Sequence, residues 1–307
     1  MKLTPVKELR VTILVDNYVD ILLPSDERVK RPPVMKGEQM APNPIAEHGL
    51  SLLLDVEGER VIMDFGLTDF GLLHNMEVLG IDPKGISFGV VSHGHHDHLG
   101  ALFPFLQRVP RGFPLYIHEE AFLPVRYITF PSGDRVYFPR VERERIAAQG
   151  AEIRTVKGPT PLLNGKALLS GEIPRITEYE KGLPGAFCEK EGKAVPDKIA
   201  DDMALYFLLE GKGLVVVSGC AHSGIINTTL YGRGLTGMEK VYAILGGFHL
   251  TGPGMEEVIP KTITALKELS PDYICPMHCT GWEGQRKLQE TFGERFIISS
   301  SGSIITL

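Results

Sequence analysis

Within the six residues from His93 to His98 stand four good metal ligands, His93, His95, Asp97 and His98, at the spacing His-x-His-x-Asp-His. They directly follow the apolar run Ile86 to Val91, which reads as a buried strand. Buried polar groups without partners are destabilising, so three imidazoles and a carboxylate packed this closely imply a cation that holds them together. A metal pair there would lower the pKa of a bound water from about 15.7 to about 7 and stabilise negative charge on a substrate. Asp97, hydrogen-bonded to such a water, could orient it and accept its proton.

Other elements must bring further ligands to this motif. Leu9 to Asp16 reads as a first strand, with Asn17 at its end. Leu50 to Val56 and Arg60 to Met63, separated by Glu57-Gly58-Glu59, read as a hairpin whose tip carries Asp64-Phe65-Gly66. Leu72, Leu73, Met76 and Leu79 repeat at helical spacing, and Leu115 to His118 reads as another strand. A second strand pair, Met203 to Glu210 and Leu214 to Ser218, ends at Gly219-Cys220-Ala221-His222. Val241 to Leu245 leads to His249, Ile259 to Leu269 is an amphipathic helix, and Tyr273 to Met277 leads to His278. A helix near Gln285 to Thr291 and strands Phe296 to Ile298 and Ile304 to Thr306 complete the pattern.

Strand pair, further strand and helix thus occur in both halves, which predicts an α/β fold of two half-sheets face to face with helices outside. His222, His249 and His278 all follow predicted strands, and strand ends at one edge of such a sandwich are where ligands gather. Six or more ligand-type groups there could hold two metals, each with three or four protein ligands and an open position.

At 307 residues and 43% hydrophobic content the chain can bury a large core. We expect a single domain, 1–307, with a loop-rich insertion around 119–200, where prolines and glycines mix with charge in the manner of substrate-covering elements. A net charge of −6 argues against a general nucleic-acid surface. The longest apolar runs are too short to cross a bilayer, and Met1-Lys2-Leu3-Thr4-Pro5 does not open a signal peptide, so the expectation is a cytoplasmic protein with no membrane association. Four cysteines, Cys188, Cys220, Cys275 and Cys279, are too few for a disulfide scaffold. His74 and His118 read as ordinary, Arg140 to Arg145 as a solvated helix face, and Glu47 and His48 as either a structural cap or a loop contribution to the site.

The motif His93-x-His95-x-Asp97-His98, with the Asp64-Phe65-Gly66 strand tip and the later His222 and His278, resembles the metallo-β-lactamase fold superfamily of binuclear metallohydrolases. Glu47-His48-Gly49-Leu50-Ser51, Ser218-Gly219-Cys220-Ala221-His222, Gly246-Gly247-Phe248-His249-Leu250 and His278-Cys279-Thr280-Gly281 look like the 7,8-dihydropterin-6-methyl-4-(β-D-ribofuranosyl)aminobenzene-5'-phosphate synthase-like branch. The resemblance implies a four-layer αββα sandwich. It implies that His93, His95 and a later histidine, with His222 the leading candidate, bind one metal, and that Asp97, His98 and His278 bind the second. Many superfamily members carry a bridging aspartate where this chain has Cys220, which leaves a thiol or water alone as the bridge. His249 is then an additional ligand or a catalytic substrate contact, and Asp64 orients ligands from behind. The ligand set suits zinc, and also iron or manganese; di-iron members usually carry glutamate where His95 stands, so zinc is favoured.

Three functions follow for a small-molecule substrate. The first is a metal-dependent hydrolase using a metal-activated hydroxide on an ester, lactone or phosphate-containing substrate. The second is a pterin-related transferase in which an arylamine displaces pyrophosphate. The third is a non-catalytic metal or ligand sensor.

Overall fold

The computed structural model describes residues 1–307. Two sheets stack face to face. The first has eight strands in the order Ala151–Val156, Phe113–His118, Phe88–Val90, Glu59–Met63, Ser51–Val56, Leu9–Val15, Ile304–Thr306 and Val29–Lys30. The second has six, in the order Thr160–Leu162, Ala167–Leu169, Ala204–Leu209, Gly213–Ser218, Val241–Gly247 and Tyr273–Met277.

The twofold alternation of strand side chains builds the layers. From Ala204–Leu209, Leu205, Phe207 and Leu209 enter the core between the sheets, where they meet Val11, Ile13, Leu52 and Leu54. Tyr206 and Leu208 point the other way, onto the helices Ile225–Thr236, Met255–Leu269 and Gly281–Phe292 through Ile225, Ile259, Leu266 and Leu288. On the opposite outer face, Leu14, Ile62 and Leu115 pack against helices Gly71–Val78 and Leu102–Leu106 through Leu72, Met76 and Phe105. Both faces of the second sheet are therefore covered, which is why its central strands are continuous apolar runs. The architecture is the four-layer αββα sandwich.

Strand direction gathers the ligands. Gly213–Ser218, Val241–Gly247 and Tyr273–Met277 run parallel, with Gly247 in register with Met277. Their carboxyl ends thus deliver Cys220, His249 and His278 side by side. In the first sheet Glu59–Met63 is parallel to Phe88–Val90, with Met63 opposite Val90, so Asp64 lies next to the start of the histidine motif.

The segment 119–200 contributes strands to both sheets: Ala151–Val156 forms an edge of the first sheet, and Thr160–Leu162 and Ala167–Leu169 form an edge of the second. The segment also supplies helix Arg143–Ala148 and a separate four-stranded sheet, Arg135–Tyr137, Arg126–Thr129, Ala186–Lys190 and Lys193–Pro196. One expectation needs correction: Phe296 to Ile298 is no strand and makes only a single bridge from Phe296 to Ile274, because it is confined between the turn Gly293–Arg295 and the serine-rich turn at Ser299 to Ser303. No helix is long and apolar enough to cross a membrane.

Candidate metal centre

The motif loop is held from behind by Asp64, a fully buried residue at φ +66°. Its carboxylate accepts the Ser92 backbone N–H at 2.7 Å and the Ser92 hydroxyl at 2.6 Å, and stands 2.7 Å from His98 Nδ1. That contact fixes the His98 ring so that Nε2 faces the site. Ser92 Oγ also lies 2.9 Å from His93 Nδ1, which turns His93 Nε2 inward in the same way. Close approach demands glycine twice: a Cβ at Gly219 would collide with Ser92 Oγ, and one at Gly94 would sit 2.9 Å from the Ala121 carbonyl oxygen. The Gly94 N–H is tied down by Asp201 at 2.7 Å, and Asp201 in turn pairs with the buried Arg126.

Two groups of ligand atoms result, each with its atoms within 4.8 Å of one another. His93, His95 and His222 make the first, with His93 Nε2 at 3.0 Å from His95 Nδ1 and 3.2 Å from His222 Nε2. Asp97, His98 and His278 make the second, with Asp97 Oδ2 at 3.8 Å from His98 Nε2 and 3.3 Å from His278 Nε2. Cys220 lies between them, its Sγ 3.1 Å from His98 Nε2, and belongs to two further groups, one with His93 and His98 and one with His249 and Cys279.

The second group depends on a device that was not visible in the sequence. His278 sits at φ +50°, its N–H donates to Asp16 Oδ1 at 2.8 Å, and its Nδ1 is 2.9 Å from Asn17 Oδ1. Asp16 and Asn17 end the first strand, and a polar pair at a strand end was the available signal. His222 is likewise set by its surroundings. The helix that follows it is capped by the buried Glu180, which accepts the Ile226 and Asn227 N–H groups at 2.9 and 2.8 Å.

The electrostatics fit a divalent cation. Burial, reinforced by neighbouring imidazoles, holds His93 and His222 well below the usual histidine range, and burial takes His95 down to about 3. These rings are neutral, and three ring nitrogens face one another with few protons to share. His95 Nε2 and His222 Nδ1 have no hydrogen-bond partner. Burial would raise Asp97, yet His98 and His278 beside it keep it well below the carboxylate range. Burial opposes charge on His98 too, but Asp64 and Asp97 overcome it and lift the ring to about 9. The two carboxylates thus draw a positive charge to His98, a proton or a metal ion in competition.

The remaining residues sort plainly. Glu47 is a cap, accepting the Leu67 N–H at 2.8 Å. His48 stands at the rim, 65% exposed, with Nε2 3.9 Å from Asp97 Oδ2. His249, at φ +45°, has its ring centroid 4.3 Å from that of His222 with the planes tilted by 49°, and neither of its ring nitrogens has a hydrogen-bond partner. His118 caps a turn through the Glu120 N–H at 3.2 Å, and His74 reaches the Asn43 carbonyl at 3.0 Å. Cys275 is in the core between the sheets.

The chain is 34% identical over 268 residues to 7,8-dihydropterin-6-methyl-4-(beta-D-ribofuranosyl)-aminobenzene-5'-phosphate synthase of Methanocaldococcus jannaschii, an alignment covering 85% of this chain and 90% of that one. The chain belongs to that synthase's family. A second protein of the same organism, MJ0448, uncharacterised, is 32% identical over 261 residues, covering 85% of this chain and 93% of its own. No protein-family model matches. Among solved structures, Tm1679, described as a metal-dependent hydrolase of the beta-lactamase superfamily, superposes with a TM-score of 0.75 at 24% identity, covering 97% of this chain and 98% of that one. The metallo-beta-lactamase fold protein YhfI from Bacillus subtilis gives 0.53 at 13% identity, covering 98% and 100%. These likenesses establish the metallo-β-lactamase fold, and family membership makes the chain an enzyme, which removes the sensor reading. The fold and the buried His, Asp and Cys clusters together fit divalent-metal binding.

Proposed function

We propose that this enzyme joins a dihydropterin to an arylamine, with a diphosphate as leaving group and divalent metal as cofactor. The observation that carries the reading is the 34% identity to the methanogen synthase across 85% of the chain, in a chain that gathers His, Asp and Cys side chains into groups able to hold metal. His93, His95 and His222 would hold one ion; Asp97, His98 and His278 would hold the second, with Cys220 between them. Zinc is the metal best matched to imidazole, carboxylate and thiol together. When bound, such ions supply Lewis acidity that stabilises the charge gathering on the diphosphate oxygens.

In the reaction the amine nitrogen attacks the pterin methylene carbon, the C–N bond forms, the C–O bond breaks, and diphosphate leaves with the electron pair. The proton lost by the amine needs an acceptor near the attacking atom. His249 would take that role: it lies half-buried beside His222, and neither ring nitrogen has a hydrogen-bond partner. The assay is diphosphate release with the pterin diphosphate and the arylamine supplied separately and together.

Hydrolysis of a small ester, lactone or phosphate ester is the second reading. It is favoured by the partial exposure of Asp97, whose Oδ2 lies 3.9 Å from the exposed His48. Turnover of the diphosphate at full rate with no amine present supports it over transfer.

A further inference from the structure

A cavity adjoins the motif loop at His96, Leu99 and Gly100. Its volume is about 310 Å³, at the lower end of the roughly 300–1,000 Å³ typical of small-molecule pockets. Leu99, Phe103, Val141 and Ile146 give it apolar walls, and His96, the one motif histidine outside the ligand groups, forms part of its lining. Phe138 bridges the two regions: its ring lies 4.5 Å from that of His95 and 6.5 Å from that of His96.

Charge at the cavity is opposite in sign to that of the protein. Arg140 and Arg145 line it against one acid, Glu142, a net of +1 in a chain of net −6. Arg145 is 67% exposed, its guanidinium over the Phe103 ring at 4.7 Å and 3.5 Å from Glu142. Arg140 has no carboxylate within ion-pair distance. Guanidinium groups above an apolar, aromatic-lined floor are suited to an anionic oxygen group carried on a flat apolar body, because the planar fork matches phosphate oxygens. A solvated helix face, the reading these arginines invite from sequence, would not enclose such a floor.

We propose that this cavity binds a small aromatic phosphate monoester, its ring against Phe103 and Ile146 and its phosphate on Arg140 and Arg145. Resting on the reaction proposed above, it is the seat of the phosphate-bearing amine, with the reactive end directed past Phe138 toward the metal centre.

Calorimetric titration of phenyl phosphate into zinc-loaded protein and into folded protein stripped with chelator tests the cavity. Binding is expected to survive metal removal, to exceed that of phenol or inorganic phosphate alone, and to weaken about tenfold or more in Arg140→Ala/Arg145→Ala. Binding that disappears with the metal, or that the double variant leaves unchanged, overturns the proposal. In the zinc-loaded enzyme the same double variant should raise KM for a phosphate-bearing arylamine without altering kcat or zinc content; an unchanged KM overturns the placement of the amine. Phenyl phosphate binding does not require turnover, so a failed transfer assay beside arginine-dependent binding faults the reaction and leaves the cavity standing.

Discussion

Asp64 Oδ2 and His98 Nδ1 are 2.7 Å apart, and both side chains are wholly buried. This contact selects which His98 nitrogen faces the site and supplies the negative charge that draws a cation to it. Partners of this kind behind a metal ligand typically contribute about 10–100-fold in affinity. Asp64→Asn should therefore weaken zinc binding by about that factor while Ser92 keeps an acceptor at position 64. Competition against a chromophoric chelator measures it, and an unchanged affinity would remove Asp64 from the account.

Metal binding should release a proton. His98 is lifted to about 9 by Asp64 and Asp97 against the effect of burial, whereas His93, His95 and His222 are already neutral near pH 7. Affinity should then rise with pH up to about 9 and level off above it, since the competing proton is gone. The metal-free protein should show the complementary trend. A raised histidine pKa stabilises the fold fully below the unfolded value of about 6.5, and that contribution is lost as pH rises through the folded value. Calorimetry in buffers of different ionisation enthalpy counts the proton directly.

His222 and His249 have neighbouring rings, 4.3 Å apart, with different roles. His222→Ala should lose metal from the first position. His249→Ala should keep the metal content and lose turnover by about 10²–10⁴, the usual worth of a positioned acid or base. Elemental analysis alongside steady-state kinetics distinguishes them, and loss of metal from the His249 variant would make that residue a ligand.

Arg126 is 5% exposed, with Nε 3.0 Å from Asp197 and Nη1 2.8 Å from Asp201, the residue that holds the Gly94 N–H. Arg126→Met leaves two buried carboxylates uncompensated and should cost about 3–5 kcal/mol, with part recovered on adding Asp201→Asn. Denaturant unfolding checks both values.

The sequence made the metal motif legible because its ligands are local, and it made the strands of the second sheet legible because each is an apolar run that leads within a few residues to a histidine. The supports were harder to see. Asp16 and His278 meet because Leu9–Val15 of the first sheet and Tyr273–Met277 of the second end side by side where the two sheets stack, and nothing in either neighbourhood announces the other. The strands of residues 119–200 were harder to read because they are three to six residues long and serve three different sheets. Ala151–Val156 exposes part of one face, which weakens the apolar pattern that marks a buried strand. The Arg140 to Arg145 run read as solvated because its apolar floor comes from Leu99 and Phe103, some forty residues earlier.

The most direct test is diphosphate release by the zinc-loaded protein, followed in parallel with formation of the carbon–nitrogen product. The account predicts release only when the dihydropterin diphosphate and the arylamine are both present, in equal amount with the joined product, and none after His95→Ala. Release at the same rate without the amine, or product formed after the metal is removed, would contradict it.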